Sequence, residues 1–217
     1  MTEVPLYDRS VFINCPFDAM YWPILEAITF TVVECGFVPR CSLDTDDGSQ
    51  VRIQKINSLI GSCRLAIHDI SRTESDGHPP LPRFNMPLEL GIFIGAKEFG
   101  NREQKRKAAV IMDAEPYRYQ RFVSDIAGQD IRAHAGQVHG AITHVRNFLL
   151  SYSPSLQALP GPERIAERYA DFRAELPDLC GVLHVNSAKL TFLDLTRLIH
   201  AWTERKAAAA YARAHAA

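Results

Sequence analysis

Short apolar segments alternate with stretches of helical spacing along this chain, and that alternation limits its fold more than any other feature. Val11-Phe12-Ile13-Asn14, Phe37-Val38-Pro39-Arg40, Leu65-Ala66-Ile67-His68-Asp69-Ile70 and Ala108-Ala109-Val110-Ile111-Met112 read as strands. Pro39 places the second of them at an edge or a strand end. After the first strand, Trp22, Leu25, Ile28 or Thr29, and Val32 share one helical face, and Gly36 stands where a helix-ending glycine is expected. A polar loop, Asp44 to Gln50, leads to a helix carrying Ile53, Ile56 and Ile60. A Pro- and Gly-rich loop, Ser71 to Phe84, precedes a helix around Glu89. A weak fifth strand is expected near Asp130 to Ala133, and a helix from about Gln137 to Leu150 closes the unit. Strands separated by helices imply a mostly parallel, five-stranded, doubly wound α/β sheet covered on both faces.

This α/β unit is expected over residues 1–150, followed by a Ser- and Pro-rich linker at 151–162 and a helical extension at 163–217. In the extension, Ile165, Tyr169, Phe172 and Leu176 form one stripe. Thr191-Phe192-Leu193-Asp194 resembles a capping box that opens a last helix through Leu195, Leu198, Ile199 and Trp202. These helices are expected to pack on the domain or on a second copy of it.

Composition excludes several classes. The chain has 217 residues, 47% apolar and 23% charged, with a net charge of −1. That balance fits a globular protein and offers no global attraction to nucleic acid or anionic membrane. The apolar runs are far shorter than the ~20 residues a bilayer span needs, and Met1 to Asp8 do not read as a signal peptide. A cytoplasmic location is expected. Five cysteines without a Cys-x-x-Cys spacing argue against a disulfide framework or zinc knuckle, and Cys15 reads first as a packing residue. No glycine-rich phosphate cradle and no Gly-x-Ser-x-Gly elbow is present. His134, His139 and His144 recur every five residues, a spacing that spreads them around a helix and argues against a shared metal, and Lys105-Arg106-Lys107 reads as a solvated loop.

The chemistry concentrates in Arg83-Phe84-Asn85-Met86-Pro87-Leu88-Glu89-Leu90-Gly91. Asn85 is placed to cap a helix, Pro87 suits its first turn, and Glu89 is expected in that first turn of a strongly apolar helix. Gly91 would let a backbone or ligand approach closely. The plain alternative is that Glu89 only complements the helix dipole. In a doubly wound sheet ligands bind beyond the carboxyl ends of the strands, which singles out the loops Cys15 to Tyr21 and Ser71 to Glu89. Asp69 ends the third strand, while Asp18 and Asp44 follow the first and second. Phe17, Tyr21 and Phe84 are candidates to stack on a base, and Arg40, Arg52 and Arg83 to meet phosphates. Taken singly, Asp44 has the alternative of a turn residue, Phe17 and Tyr21 of core residues, and Arg83 of a surface residue.

Phe12-Ile13-Asn14-Cys15-Pro16-Phe17, an acid at the end of strand three and Glu89-Leu90-Gly91 opening the next helix together resemble the nucleoside 2-deoxyribosyltransferase-like group, related in fold to TIR domains. The resemblance covers roughly Val11 to Leu150 and implies a flavodoxin-like sheet. It implies a glutamate, matched by Glu89, that attacks or stabilises an anomeric carbon, and an acid, matched by Asp69, that handles the base. Arg83-Phe84-Asn85-Met86 stands where the family often carries an Asp-x-Gly-Thr-like run, so Asn85 replaces an acid there. The expected function is cleavage of an N-glycosidic bond in a nucleoside, a nucleotide or NAD. Asn14, Phe17, Asn85 and Met86 would line the pocket, with no metal and no cofactor. The alternatives are a nucleotide-binding sensor without catalysis, or a TIR-like assembly module in which the last helix forms a homodimer seam.

Overall fold

In a computed structural model, residues 5–73, 83–153 and 159–215 are described. After a short helix α1 (Leu6–Arg9), the chain runs β1 (Ser10–Asn14), α2 (Trp22–Glu34), β2 (Val38–Arg40), α3 (Arg52–Ser62), β3 (Leu65–Asp69) and α4 (Asn85–Phe99). It continues through β4 (Ala108–Asp113), β5 (Arg132–Ala133), α5 (Val138–Leu150), α6 (Pro162–Val182) and α7 (Phe192–His215). All strand pairs are parallel, in the order β2-β1-β3-β4-β5. This is the flavodoxin-like doubly wound arrangement, with its switch point between β1 and β3. Pro39 sits on the edge strand β2, where its missing N–H costs no ladder bond.

Strand alternation sorts the core into two faces. Val11 and Ile13 of β1 and Leu65 and Ile67 of β3 join α2 and α5 in one apolar cluster. Phe12 and Ala66 point the other way, to Ile56, Leu59 and Ile60 of α3 and Phe93 of α4. Helix α2 ends as expected. Gly36 adopts φ +79°, Phe37 N–H donates to the Val32 carbonyl, and Gly36 N–H donates to Val33.

Every residue of α2 from Ile24 to Val33 is buried, not one stripe alone. The reason is tertiary: α6 and α7 lie on its outer side. Phe30 meets Tyr169, Phe172 and Trp202 with ring centroids 5.4–5.7 Å apart. Glu34 receives Arg168 through two bonds of 2.6 and 2.8 Å. Leu195, Leu198, Ile199 and Trp202 of α7 are buried in the same cluster as the sheet. The stripe on the last helix is therefore covered within the chain. The capping box at its start is formed: Asp194 N–H donates to Thr191 Oγ1 at 3.1 Å, and Thr191 N–H to Asp194 Oδ2 at 3.2 Å.

Several expectations need correction. Lys107 is not a solvated loop residue. It is buried, its Nζ donates to the carbonyls of Ile60 and Cys63 at the end of α3, and it lies over the Phe93 ring. Ile53 is on the exposed side of α3. The fifth strand is only Arg132–Ala133, and His134 follows it ahead of α5. Most of the loop from Ser71 to Phe84, and part of the expected linker, lie outside the described residues. Among the described residues, no helix is long and apolar enough to cross a membrane.

Candidate functional site

Helix α4 buries Met86, Glu89, Leu90 and Phe93, a spacing of one helical stripe. A carboxylate thus occupies a core-facing position. The helix begins at Asn85 with Phe84 as its N-cap and no side-chain cap, so Asn85 does not cap it and Glu89 lies beyond its first turn. The dipole alternative weakens with that distance. Gly91 faces open space on the exposed side, with no neighbour within 4 Å of where a Cβ would stand.

Glu89 opens onto a cavity of about 320 Å³ at the carboxyl end of β1, beside the switch point. Asn14, Cys15, Pro16 and Phe17 form one wall. Asn85, Met86 and Arg83 form another, and Arg52 at the start of α3 completes it. Among the described residues, no hydrogen bond or ion pair engages the Glu89 carboxylate, and the residue is only 6% exposed. Burial pushes its pKa up to about 7, against the opposing pull of the Arg52 guanidinium. Cys15 is buried, and burial followed by the nearby Asp69 carboxylate pushes its thiol well above the usual range, so it is an inert wall residue.

Asn14 is held in a defined orientation. It pairs in register with His68, and its Nδ2 lies 2.9 Å from both the Met86 carbonyl and His68 Nδ1. The carbonyl can only accept, so the amide nitrogen faces it, and His68 Nδ1 is an acceptor too. Burial, reinforced by Lys107, holds His68 down at about 3, so it stays neutral. The Asn14 Oδ1 acceptor remains for a ligand in the cavity.

The other expected site residues are elsewhere. Asp69 is adjacent to His68 in an extended strand and so faces the opposite side, away from α4. Its carboxylate is fully buried. Oδ2 accepts from Tyr21 Oη at 2.5 Å, Oδ1 accepts from Ser71 N–H at 2.9 Å, and His134 Nε2 lies 2.9 Å from Oδ2. His134 Nδ1 accepts from Gly136 N–H, which leaves the ring proton on Nε2. Its Nε2 lies close to Asp69 Oδ2 without the alignment of a hydrogen bond. Tyr21 is therefore a buried partner of Asp69 and not a stacking platform, and burial with the Asp69 charge pushes its phenol well up. Asp18 accepts from Met20 and Tyr21 N–H and pairs with Arg72 at 3.2 Å and Arg83 at 3.7 Å. Arg40 and Asp44 bind each other and line a separate cavity at the β2 edge. Phe84 is exposed.

Asp113 at the end of β4 was not foreseen. It is buried, and burial raises its pKa although Arg118 donates to it at 2.7 Å. Asp113 follows Met112, the register partner of Asp69, so its side chain lies on the opposite face of the sheet from Asp69, and it is not among the residues that line the Glu89 cavity. Among the described residues, no group of three His, Cys, Asp or Glu is placed to hold a metal ion. No family model matches the chain, and no curated protein matches it. The fold and site therefore define a flavodoxin-like α/β protein with integral C-terminal helices and one buried carboxylate at the switch-point cavity.

Proposed function

We propose that this protein cleaves an N-glycosidic bond in a nucleotide or in NAD, with Glu89 acting at the anomeric carbon. The carrying observation is the Glu89 carboxylate: buried, unengaged among the described residues, and set on a cavity wall beside the switch point. When the bond breaks, its electron pair leaves with the base nitrogen and positive charge builds on the ribose ring. A carboxylate beside the anomeric carbon stabilises that charge or forms an ester with it. Water then adds to the anomeric carbon and gives up a proton. A dry wall strengthens the interaction. Asn14 Oδ1 accepts from a ribose hydroxyl, and Arg52 and Arg83 supply donors for phosphate.

The leaving base narrows the substrate. Among the described residues that line the cavity, Glu89 is the single carboxylate, and Asp69 is turned to the other face. A purine needs a proton as it departs. A pyridinium base is already cationic and leaves neutral without one, so the reading favours NAD over a purine nucleoside. Asp69 is then a positioning residue that ties the end of β3 to α2 and the loop after β5.

Incubation with NAD and a panel of nucleosides and nucleotides, followed by chromatography of free base, tests this. NAD is expected to release nicotinamide, and Glu89→Gln to lower turnover by at least ~100-fold. Equal turnover in the variant would refute the role of Glu89. Tight binding of an intact nucleotide, with no base released by the wild-type protein, would assign a sensor in place of an enzyme.

A further inference from the structure

The C-terminal helices lie beyond the part of the chain that resembles a known family, yet they build the wall of a second cavity. It measures about 550 Å³ and lies between the start of α2, α6 and the turn Ser187–Lys189. Phe17 belongs to the walls of both cavities, so one side chain borders the two spaces. Trp22 adds a second aromatic surface. Arg173 and Ser187 supply polar groups. Pro177 lies inside α6 and has no N–H to give the Arg173 carbonyl, so a backbone acceptor is released from the helix beside the cavity.

The charge on this wall is balanced. Glu26 is buried and accepts from Tyr169 Oη at 2.8 Å, and Arg173 Nη1 lies 3.1 and 3.2 Å from its two oxygens. Only Nη1 of Arg173 is engaged among the described residues, and half of that side chain is exposed. Its remaining donors are available to a ligand in the cavity. Apolar and aromatic walls with a few polar groups are the usual make-up of a small-molecule site, and each cavity accommodates a nucleoside-sized group.

We infer that the two cavities form one cleft for a dinucleotide, with the second base lodged in the cavity built by α6. This rests on the N-glycosidase reading of Glu89. The bond to be cut lies at Glu89 and the linking phosphates pass Arg83 and Arg52. The second, planar base stacks on Phe17 or Trp22 and meets the guanidinium of Arg173. The C-terminal helices thereby select a dinucleotide over a mononucleotide.

Calorimetric titration of the full-length Glu89→Gln protein, in which turnover is expected to be at least ~100-fold slower, tests the assignment with NAD, nicotinamide mononucleotide and AMP as probes. NAD is expected to bind at least ~10-fold more tightly than nicotinamide mononucleotide, and AMP to bind measurably by itself. Ala188 is exposed on the turn that borders the cavity, so Ala188→Trp fills the space without disturbing the Glu26 pair. Combined with Glu89→Gln it is expected to abolish AMP binding and the advantage of NAD. Circular dichroism and the affinity for nicotinamide mononucleotide report whether the first cavity is intact. Equal affinity of NAD and nicotinamide mononucleotide, or an NAD advantage that survives Ala188→Trp, overturns the second subsite and leaves the Glu89 reading in place. No binding of any probe, with no base release by the wild-type protein, overturns both.

Discussion

Glu89 carries a charge that its surroundings disfavour. Its folded pKa, about 7, lies above the ordinary value of 4.5 because burial outweighs Arg52. Between those two values the folded protein binds more protons than the unfolded chain, so this residue lowers stability progressively as pH rises towards about 7. Glu89→Gln removes that penalty. The variant is expected to match wild type near pH 4 and to exceed it by on the order of 2 kcal/mol at pH 8, discounted for solvent at the cavity mouth. Urea denaturation at the two pH values checks it. Activity has the opposite slope: base release by the wild-type protein is expected to rise with pH through about 7 as the carboxylate ionises. A flat profile from pH 5 to 9 would contradict an ionised Glu89 as the acting form.

Asn14 shows how narrowly that residue is held. Its Nδ2 faces two acceptors, the Met86 carbonyl and His68 Nδ1. Asn14→Asp turns a carboxylate oxygen onto both and is expected to cost about 3 kcal/mol at neutral pH. Protonation of the new carboxyl restores one donor, so the deficit is expected to shrink under mild acid. Asn14 and Glu89 were legible in the sequence: one ends an apolar strand, and the other interrupts an apolar helical stripe. The place of Asp69 was not. All five residues of β3 are buried, so no polar alternation marks which of His68 and Asp69 faces α4.

At the scale of elements, α2 is the member that every layer shares. Its apolar residues are not confined to the sheet-facing stripe, and a helix apolar all round belongs inside a protein. Phe30 is fully buried against Tyr169, Phe172 and Trp202. Phe30→Ala is expected to cost about 4 kcal/mol in chemical denaturation, whereas truncation of an exposed residue such as Phe99 should be nearly neutral. The strands and helices were readable because each has its own period. Lys107 was misread because a basic triplet looks solvated, and nothing local reveals that its ammonium closes the end of α3.

At the scale of the molecule, the C-terminal helices are part of the core and not an appendage. Removing 159–217 would strip the outer side of α2, exposing Phe30 together with the buried partners of Arg168 and Arg173. The truncated chain is expected to aggregate or to lose its cooperative thermal transition, as read by gel filtration and circular dichroism. A monomeric truncation with an unchanged transition would show that the α/β unit stands without α6 and α7.

The alternation of short strands and helices was sufficient to specify a parallel doubly wound sheet, because pattern and period are local properties of the chain. The same local reading placed Glu89 in a strongly apolar helix, and the structure set it on that helix's buried stripe. Tertiary structure alone decided what covers each apolar face and which distant groups meet: Arg52 with Glu89, Asp69 with Tyr21 and His134, and α6 and α7 with α2. Periodicity states that a face must be buried. It does not name the partner, because that choice depends on contacts between residues far apart in the chain, whose energies appear only once the sheet has formed.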